Sequence, residues 1–153
     1  MVRIPAVLDS ACLIGLERIK RLALLPALLE PVMAPPAVIR EFGSHPKWLI
    51  EVPVSDSGMV AALGLVVDPG EAEAITLAFE RGVRIILDDR KAREAAQRLK
   101  ILVTGTVGVL LKAKQAGLIE SIRPSLDALE ANHFRIGPAL REEALRLAGE
   151  CSE

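Results

Sequence analysis

The sequence predicts an α/β protein built on a mostly parallel sheet of four to five strands with helices on both faces. Three observations lead there. Short apolar, β-compatible runs recur along the chain, at residues 2–8, 32–34, 50–54, 83–87 and 101–103, and helical stretches separate them. Residues 83–87 are apolar apart from Arg84 and residues 101–103 are wholly so, the pattern of strands buried on both faces. The length, 153 residues, suits one core and is too short for two, so a single domain is expected, with C-terminal helices over about residues 120–150 packing on it.

Taken in order, residues 2–8 form a strand that ends at Asp9-Ser10, where a capping residue opens a helix with apolar positions at Leu13, Leu16, Ile19 and Leu22. Residues 24–29 continue as helix until Pro31 stops it, and residues 32–34 are a short strand. Pro36 suits the first turn of a short helix that carries Glu41. Pro53 confines the run 50–54 to a sheet edge. A short helix over 58–65 and a turn at Asp68-Pro69-Gly70 lead into a strong helix over 71–81, with Glu71 in its first turn and Arg81-Gly82 at its end. Asp88-Asp89 closes the strand 83–87, and a basic helix follows over 90–99. The strand 101–103 turns through Thr104-Gly105-Thr106 into a helix over 107–116, and two amphipathic helices, 124–132 and 138–149, follow.

Nineteen Lys and Arg against twenty Asp and Glu give no global signal for a polyanion partner, so any nucleic-acid surface must be local. Such a locality exists: residues 81–114 carry nine basic and three acidic side chains, net +6, whereas residues from 117 onward are net −3. The longest apolar stretch, 22–29, is far below the roughly 20 residues a bilayer span needs. The N-terminal residues lack the layout of a secretory signal, and a cytoplasmic location is expected. Cys12 and Cys151 form neither a disulfide framework nor a CxxC pair, and His45 and His133 have no partners at zinc-ligand spacing.

In an open α/β sheet, ligands bind beyond the carboxyl ends of the strands. Asp9, Asp88 and Asp89 fall there, and Glu41 and Glu71 lie on helices able to lean over the same edge. Crowded carboxylates repel one another and escape by protonation unless a cation joins them. Mg²⁺ and Mn²⁺ take hard oxygen ligands, lower the pKa of a bound water and offset charge on a phosphodiester. Each acid alone has an ordinary explanation: Asp9 as a helix cap, Glu71 as favourable charge at a helix N-terminus, Glu41 as a solvated side chain. The set outweighs those readings, and Asp88-Asp89 beside a buried strand is the hardest to explain structurally. The helix 90–98, by itself a solvated face, becomes a candidate phosphate-contacting face next to an acidic pocket. Residues 104–108, TGTVG, lack the GK[ST] ending of a phosphate loop and read as a tight turn.

At these residues the chain resembles the PIN-domain family, in particular a PIN-like group related to VapC-type toxins. The stretches that carry the resemblance are VLDSACLIGLERI (7–19), APPAVIREF (34–42), DPGEAEAITLAFERG (68–82), ILDDRKAR (86–93) and VTGTVGVLLKAKQAGLI (103–119), in order over nearly the whole chain. The resemblance implies a three-layer PIN-like sandwich and a divalent-metal endoribonuclease using Mg²⁺ or Mn²⁺. It makes Asp9, Glu41, Glu71 and Asp89 the catalytic metal ligands, with Asp88 the second claimant for the last place. Ser10, Arg90, Lys91, Arg93, Thr104 and Thr106 would face substrate. Glu71 stands where many members have Asp, one methylene shorter. RNA, an antitoxin protein and a second copy of the chain are the implied partners; the dimer expectation rests on apolar surface around residues 22–29. The rival functions are a catalytically weak RNA- or protein-binding scaffold and a nuclease for single-stranded or flap DNA.

Overall fold

The computed structural model describes residues 2–151. Five strands, β1 (Ile4–Leu8), β2 (Leu29–Ala34), β3 (Leu49–Glu51), β4 (Arg84–Ile86) and β5 (Val103–Thr104), make one sheet in the order β3-β2-β1-β4-β5. Every neighbouring pair is parallel. The chain leaves β1 outward through β2 to β3, then returns to the other side of β1 for β4 and β5. The direction of winding therefore reverses between β1 and β4, the switch point at which such sheets open a crevice for ligand. The backbone seals that point: the Asp9 N–H donates to the Ile86 carbonyl at 3.1 Å.

The connections are α1 (Ser10–Arg18), α2 (Leu24–Leu28), α3 (Pro36–Phe42), α4 (Ser57–Leu63), α5 (Pro69–Arg81), α6 (Arg90–Arg98) and α7 (Thr106–Gln115), followed by α8 (Arg123–Ala131) and α9 (Pro138–Leu147). Proline opens α3 and α9 as the sequence leads one to expect, since its missing N–H is one that a helix start does not use; it also opens α5, which begins at Pro69 and takes in the residues expected to form a turn. Gly43 and Gly82 end α3 and α5 at φ 78° and 63°, a left-handed turn in which a Cβ would be strained. Helix α5 packs on β1 and β4 and gathers α3, α4 and α6 about it, while α7 packs with α1, α2 and α9. Ala6, Val7, Leu8, Ile85, Ile86 and Leu87 are fully covered, so the central strands are buried on both faces.

Three expectations need correcting. Pro31 does not stop a helix: α2 ends at Leu28, and β2 runs through the proline. The ladder slips there, with Ile4 opposite Leu29 but Ala6 opposite Val32, and an irregular register tolerates a residue with no N–H to give. The run 101–103 is not a strand buried on both faces; only Val103–Thr104 pairs, at the sheet edge, and Leu102 faces solvent. The apolar surface around 22–29 that suggested a dimer is consumed within the chain, because Leu24, Leu25, Leu28 and Leu29 are all buried. Exposed apolar side chains sit elsewhere, at Leu65, Val66 and Phe79 for example. No helix among the described residues is long and apolar enough to cross a membrane.

The tail is fastened by one carboxylate. Glu150 accepts hydrogen bonds from the Ile122 N–H (2.8 Å), the Arg123 N–H (3.1 Å) and the Lys114 ammonium (2.8 Å), and Lys114 also reaches the Ala148 carbonyl. These bonds tie the end of α9 to α7 and to the start of α8. Glu150→Ala leaves half-buried donors unanswered and is expected to cost about 1–3 kcal/mol of stability, measured by urea unfolding.

Candidate active site

Six carboxylates collect at the carboxyl edge of β1 and β4. Asp9 directly follows β1 and holds the N-cap position of α1, with φ and ψ of −90° and 162°. A cap residue normally turns its oxygen back onto the first helical N–H groups. Asp9 does not: it makes no side-chain cap bond, it is 4% exposed, and its Oδ1 is buried with no hydrogen-bond partner. Burial is the main force pushing its pKa up to about 7; the neighbouring Ser10 N–H pulls it down, and Asp68, Glu41 and Asp88 push it further up. The capping explanation for Asp9 therefore fails on geometry.

Each of the other acids has a local engagement. Glu41, on the last turn of α3, accepts a hydrogen bond from the Ser10 hydroxyl. Its Oε1 and the Asp68 Oδ1 both lie within 3.5 Å of the point where a Cβ on Gly70 would stand, which brings α3 against the start of α5. Asp68 and Glu71 form a capping box: Asp68 Oδ1 accepts the Glu71 N–H at 2.8 Å, and Glu71 Oε1 accepts the Asp68 N–H at 3.1 Å. Glu71 is nevertheless buried, and burial first, then the charges of Asp68, Asp9 and Asp89, raise its pKa to about 7 against the pull of the Asp68 N–H.

Beyond β4, Asp88 turns inward and Asp89 outward. Asp88 accepts the Thr106 N–H at 2.8 Å and the Thr106 hydroxyl at 2.6 Å. Burial raises its pKa; those two bonds and the Arg93 charge oppose the rise. Asp89 is exposed and caps α6 by accepting the Ala92 N–H at 3.0 Å. Asp88 is among the charges that Asp9 feels, and Asp89 among those that Glu71 feels. Cys12, wholly buried close by, is held as a thiol by burial and by the Asp88 charge.

The residues expected to meet substrate divide in two. Arg90 and Lys91 are exposed on α6, with Arg90 loosely paired to Glu94 at 3.4 Å. Arg93 is half-buried, and its guanidinium donates to the Leu87 carbonyl at 3.1 Å. Ser10 is buried and spent on Glu41, Thr104 accepts from Arg84 at 2.8 Å, and Thr106 is wholly buried against Asp88. These three hydroxyls act on the protein's own side chains. Asp68 is the acid that sequence reasoning passed over as turn chemistry; the pattern Asp-x-x-Glu ahead of an apolar helix was its available signal.

As the side chains stand, no three His, Cys, Asp or Glu groups among the described residues are close enough together to hold an ion. The hydrogen bonds above give the physical reason, since like charges spread apart and each takes the nearest local donor. The donor set still suits a hard cation. It is all oxygen, and it includes one buried carboxylate oxygen with no partner.

Fold and site together define an open parallel α/β protein whose acidic crevice lies at the switch point of the sheet. It belongs to the PIN-domain family: the family model described as a PIN domain matches residues 5–150. PIN domains are generally nucleases and typically use divalent metal ions. No curated protein and no solved structure matches the chain.

The raised acids set a pH dependence. Both Asp9 and Glu71 bind protons more tightly in the folded than in the unfolded chain, whose values are 3.8 and 4.5. Their penalty is absent below about pH 4, grows as pH rises towards 7, and is complete above it. Metal-free protein is thus expected to lose stability between about pH 4 and 7, and Asp9→Asn to flatten that slope and to be the more stable form at pH 8. Melting temperatures across that range check it; a variant less stable than wild type at pH 8 would make Asp9 structural.

Proposed function

We propose that this chain is a divalent-metal-dependent endoribonuclease, with Asp9, Glu41, Glu71 and one or both of Asp88 and Asp89 as the ligands of Mg²⁺ or Mn²⁺. The observation that carries the proposal is the Asp9 carboxylate, buried at the switch point among five other acids and left without a partner on one oxygen. Selection for stability alone removes such a group; a cation makes it useful. When bound, the ion supplies a low-pKa water and charge stabilisation for phosphodiester hydrolysis. The protein's own part is to hold the acids at one edge, with Arg90, Lys91 and Arg93 of α6 beside them to receive phosphates. Asp68 joins the set as the residue that fixes Glu71.

The RNA preference and a role as the toxin of a toxin–antitoxin pair follow from the resemblance to VapC-type proteins, and a small inhibitory partner would act by covering the same edge. One observation favours a second reading, a weakly catalytic scaffold that binds RNA or protein: the acids other than Asp9 are already occupied by local hydrogen bonds. Matched RNA, single-stranded DNA and flap substrates, incubated with Mn²⁺ or with EDTA, separate the readings. Metal-dependent cleavage of RNA is expected, reduced at least about 100-fold in Asp9→Asn. Cleavage of DNA alone would change the substrate, and binding without cleavage at any metal concentration would make the chain a scaffold.

A further inference from the structure

The turn at residues 87–89, which carries Asp88 and Asp89, is held from three elements at once. Its Leu87 N–H donates to the Thr104 carbonyl of β5 at 2.9 Å, and its Leu87 carbonyl accepts the Arg93 guanidinium of α6 at 3.1 Å. The two Asp88 oxygens accept the N–H and the hydroxyl of Thr106, the first residue of α7. We propose that Thr106 and Arg93 are positioning residues that keep this turn, and the acids on it, set at the metal edge while no ion is bound, with Gly105 as the opening through which they reach it. The inference rests on the divalent-metal reading of the site and names what sets the affinity of that site on its β4 side.

Helix formation alone does not call for this arrangement. The N-cap of α7 is Gly105, which has no side chain to offer, and Asp88, 18 residues before Thr106, supplies the acceptor instead. An aspartate at the cap itself would do so locally, as Asp68 does for α5 and Asp89 for α6. The φ and ψ of Gly105, −90° and 174°, are open to any residue, so backbone freedom is not what the glycine contributes. A Cβ there would stand 2.8 Å from the Arg93 Nη1 and 3.1 Å from the Asp88 Oδ1. What the glycine permits is the approach of a guanidinium and a carboxylate over the start of α7. At Gly108 a Cβ would come within 2.7 Å of the Thr104 Cγ2, so the first turn of α7 sits directly on β5.

Repulsion is what the clamp works against. Like charges gathered at one edge drive each carboxylate away from its neighbours, and an acid that stays in place needs donors fixed to the framework. Thr106 is such a donor: it is wholly buried, its N–H belongs to a helix start, and its hydroxyl proton goes to Asp88 at 2.6 Å. One accepted bond on each oxygen leaves the Asp88 carboxylate with further lone pairs. The charge of Arg93 acts on Asp88 while its N–H holds the Leu87 carbonyl, so one side chain steadies both the carboxylate and the backbone of the turn.

The test titrates the full chain with Mn²⁺, reads the electron paramagnetic resonance signal of the free ion, and sets the affinities beside melting temperatures in EDTA. Thr106→Val keeps the size and the N–H bond but removes the hydroxyl; it should weaken Mn²⁺ binding about tenfold or more, and Thr106→Ser should restore it to within about threefold of wild type. Gly105→Ala should weaken binding in the same way by displacing the guanidinium. That variant keeps its fold, because Arg93 lines a groove of about 640 Å³ between α6, β5 and the C-terminal helices and has room to swing aside. Thr76→Val is the control for a lost buried hydroxyl: Thr76 is fully buried and donates to the Ala72 carbonyl at 2.8 Å within α5, and Mn²⁺ affinity should stay as it was whatever happens to the melting temperature. Unchanged affinity in either Thr106→Val or Gly105→Ala, or a loss in Thr106→Val that Thr106→Ser does not recover, would overturn the proposal and leave these residues a structural role. Failure of the divalent-metal reading shows separately, as wild-type protein that leaves the free-ion signal undiminished.

Discussion

The Asp9 carboxylate is the constraint on which the rest of this structure turns. It is fixed at the end of the central strand, where its own N–H completes a bond to Ile86 and where the first helix begins. Its side chain ignores the helix it should cap and remains buried beside like charges. Free energy is lost there, and the surrounding molecule is built so that the loss is tolerated. The parallel strands on either side are covered on both faces, and a contiguous buried cluster runs from β1 through α5 and α7 to the last helix. Burial at about 25 cal/mol per Å² of apolar surface outweighs one unfavourable carboxylate many times over.

The neighbouring acids show how a crowded site keeps its shape before it binds anything. Glu71 and Asp68 cap each other, Asp89 caps α6, Asp88 is gripped by Thr106, and Glu41 takes the Ser10 hydroxyl. Each of these bonds is formed with a residue at a helix start, some within one turn of chain (Asp68–Glu71, Asp89–Ala92) and some between segments distant in sequence (Ser10–Glu41, Asp88–Thr106). The helix N-termini thus do two things: they orient the acids towards one edge, and they lend N–H dipoles that moderate repulsion. The bonds that hold the acids are therefore the same ones that cap α5 and α6 and that meet the first N–H of α7.

Much of this was legible in the sequence because it depends on local order. The strand-then-acid pattern at Asp9 and at Asp88-Asp89, the proline-opened helices and the Arg81-Gly82 stop all follow from residues a few positions apart. The alternation of strands and helices pointed to a mostly parallel sheet, and the sheet is parallel throughout. What was hidden depends on distance. Whether Asp9 caps its helix is settled by what packs over it, and Asp68 looks like half of a turn until its partner Glu71 is seen to be buried. Pro31 reads as a stop because the register slip that accommodates it belongs to the pairing with β1. The surplus of apolar residues at 22–29 vanishes for the same reason, since α7 lies against α2 from far along the chain. The groove beside the acids is likewise invisible in sequence, as its walls come from α6, β5 and the tail.

The most direct test of the central claim is the anomalous scattering of crystals grown with Mn²⁺. A peak about 2.1 Å from the Asp9 carboxylate, shared with at least two of Glu41, Glu71, Asp88 and Asp89 turned from their present hydrogen bonds, is the expected result. Crystals in which Asp9 keeps a bare oxygen while manganese binds only at scattered surface carboxylates, or nowhere, would contradict it.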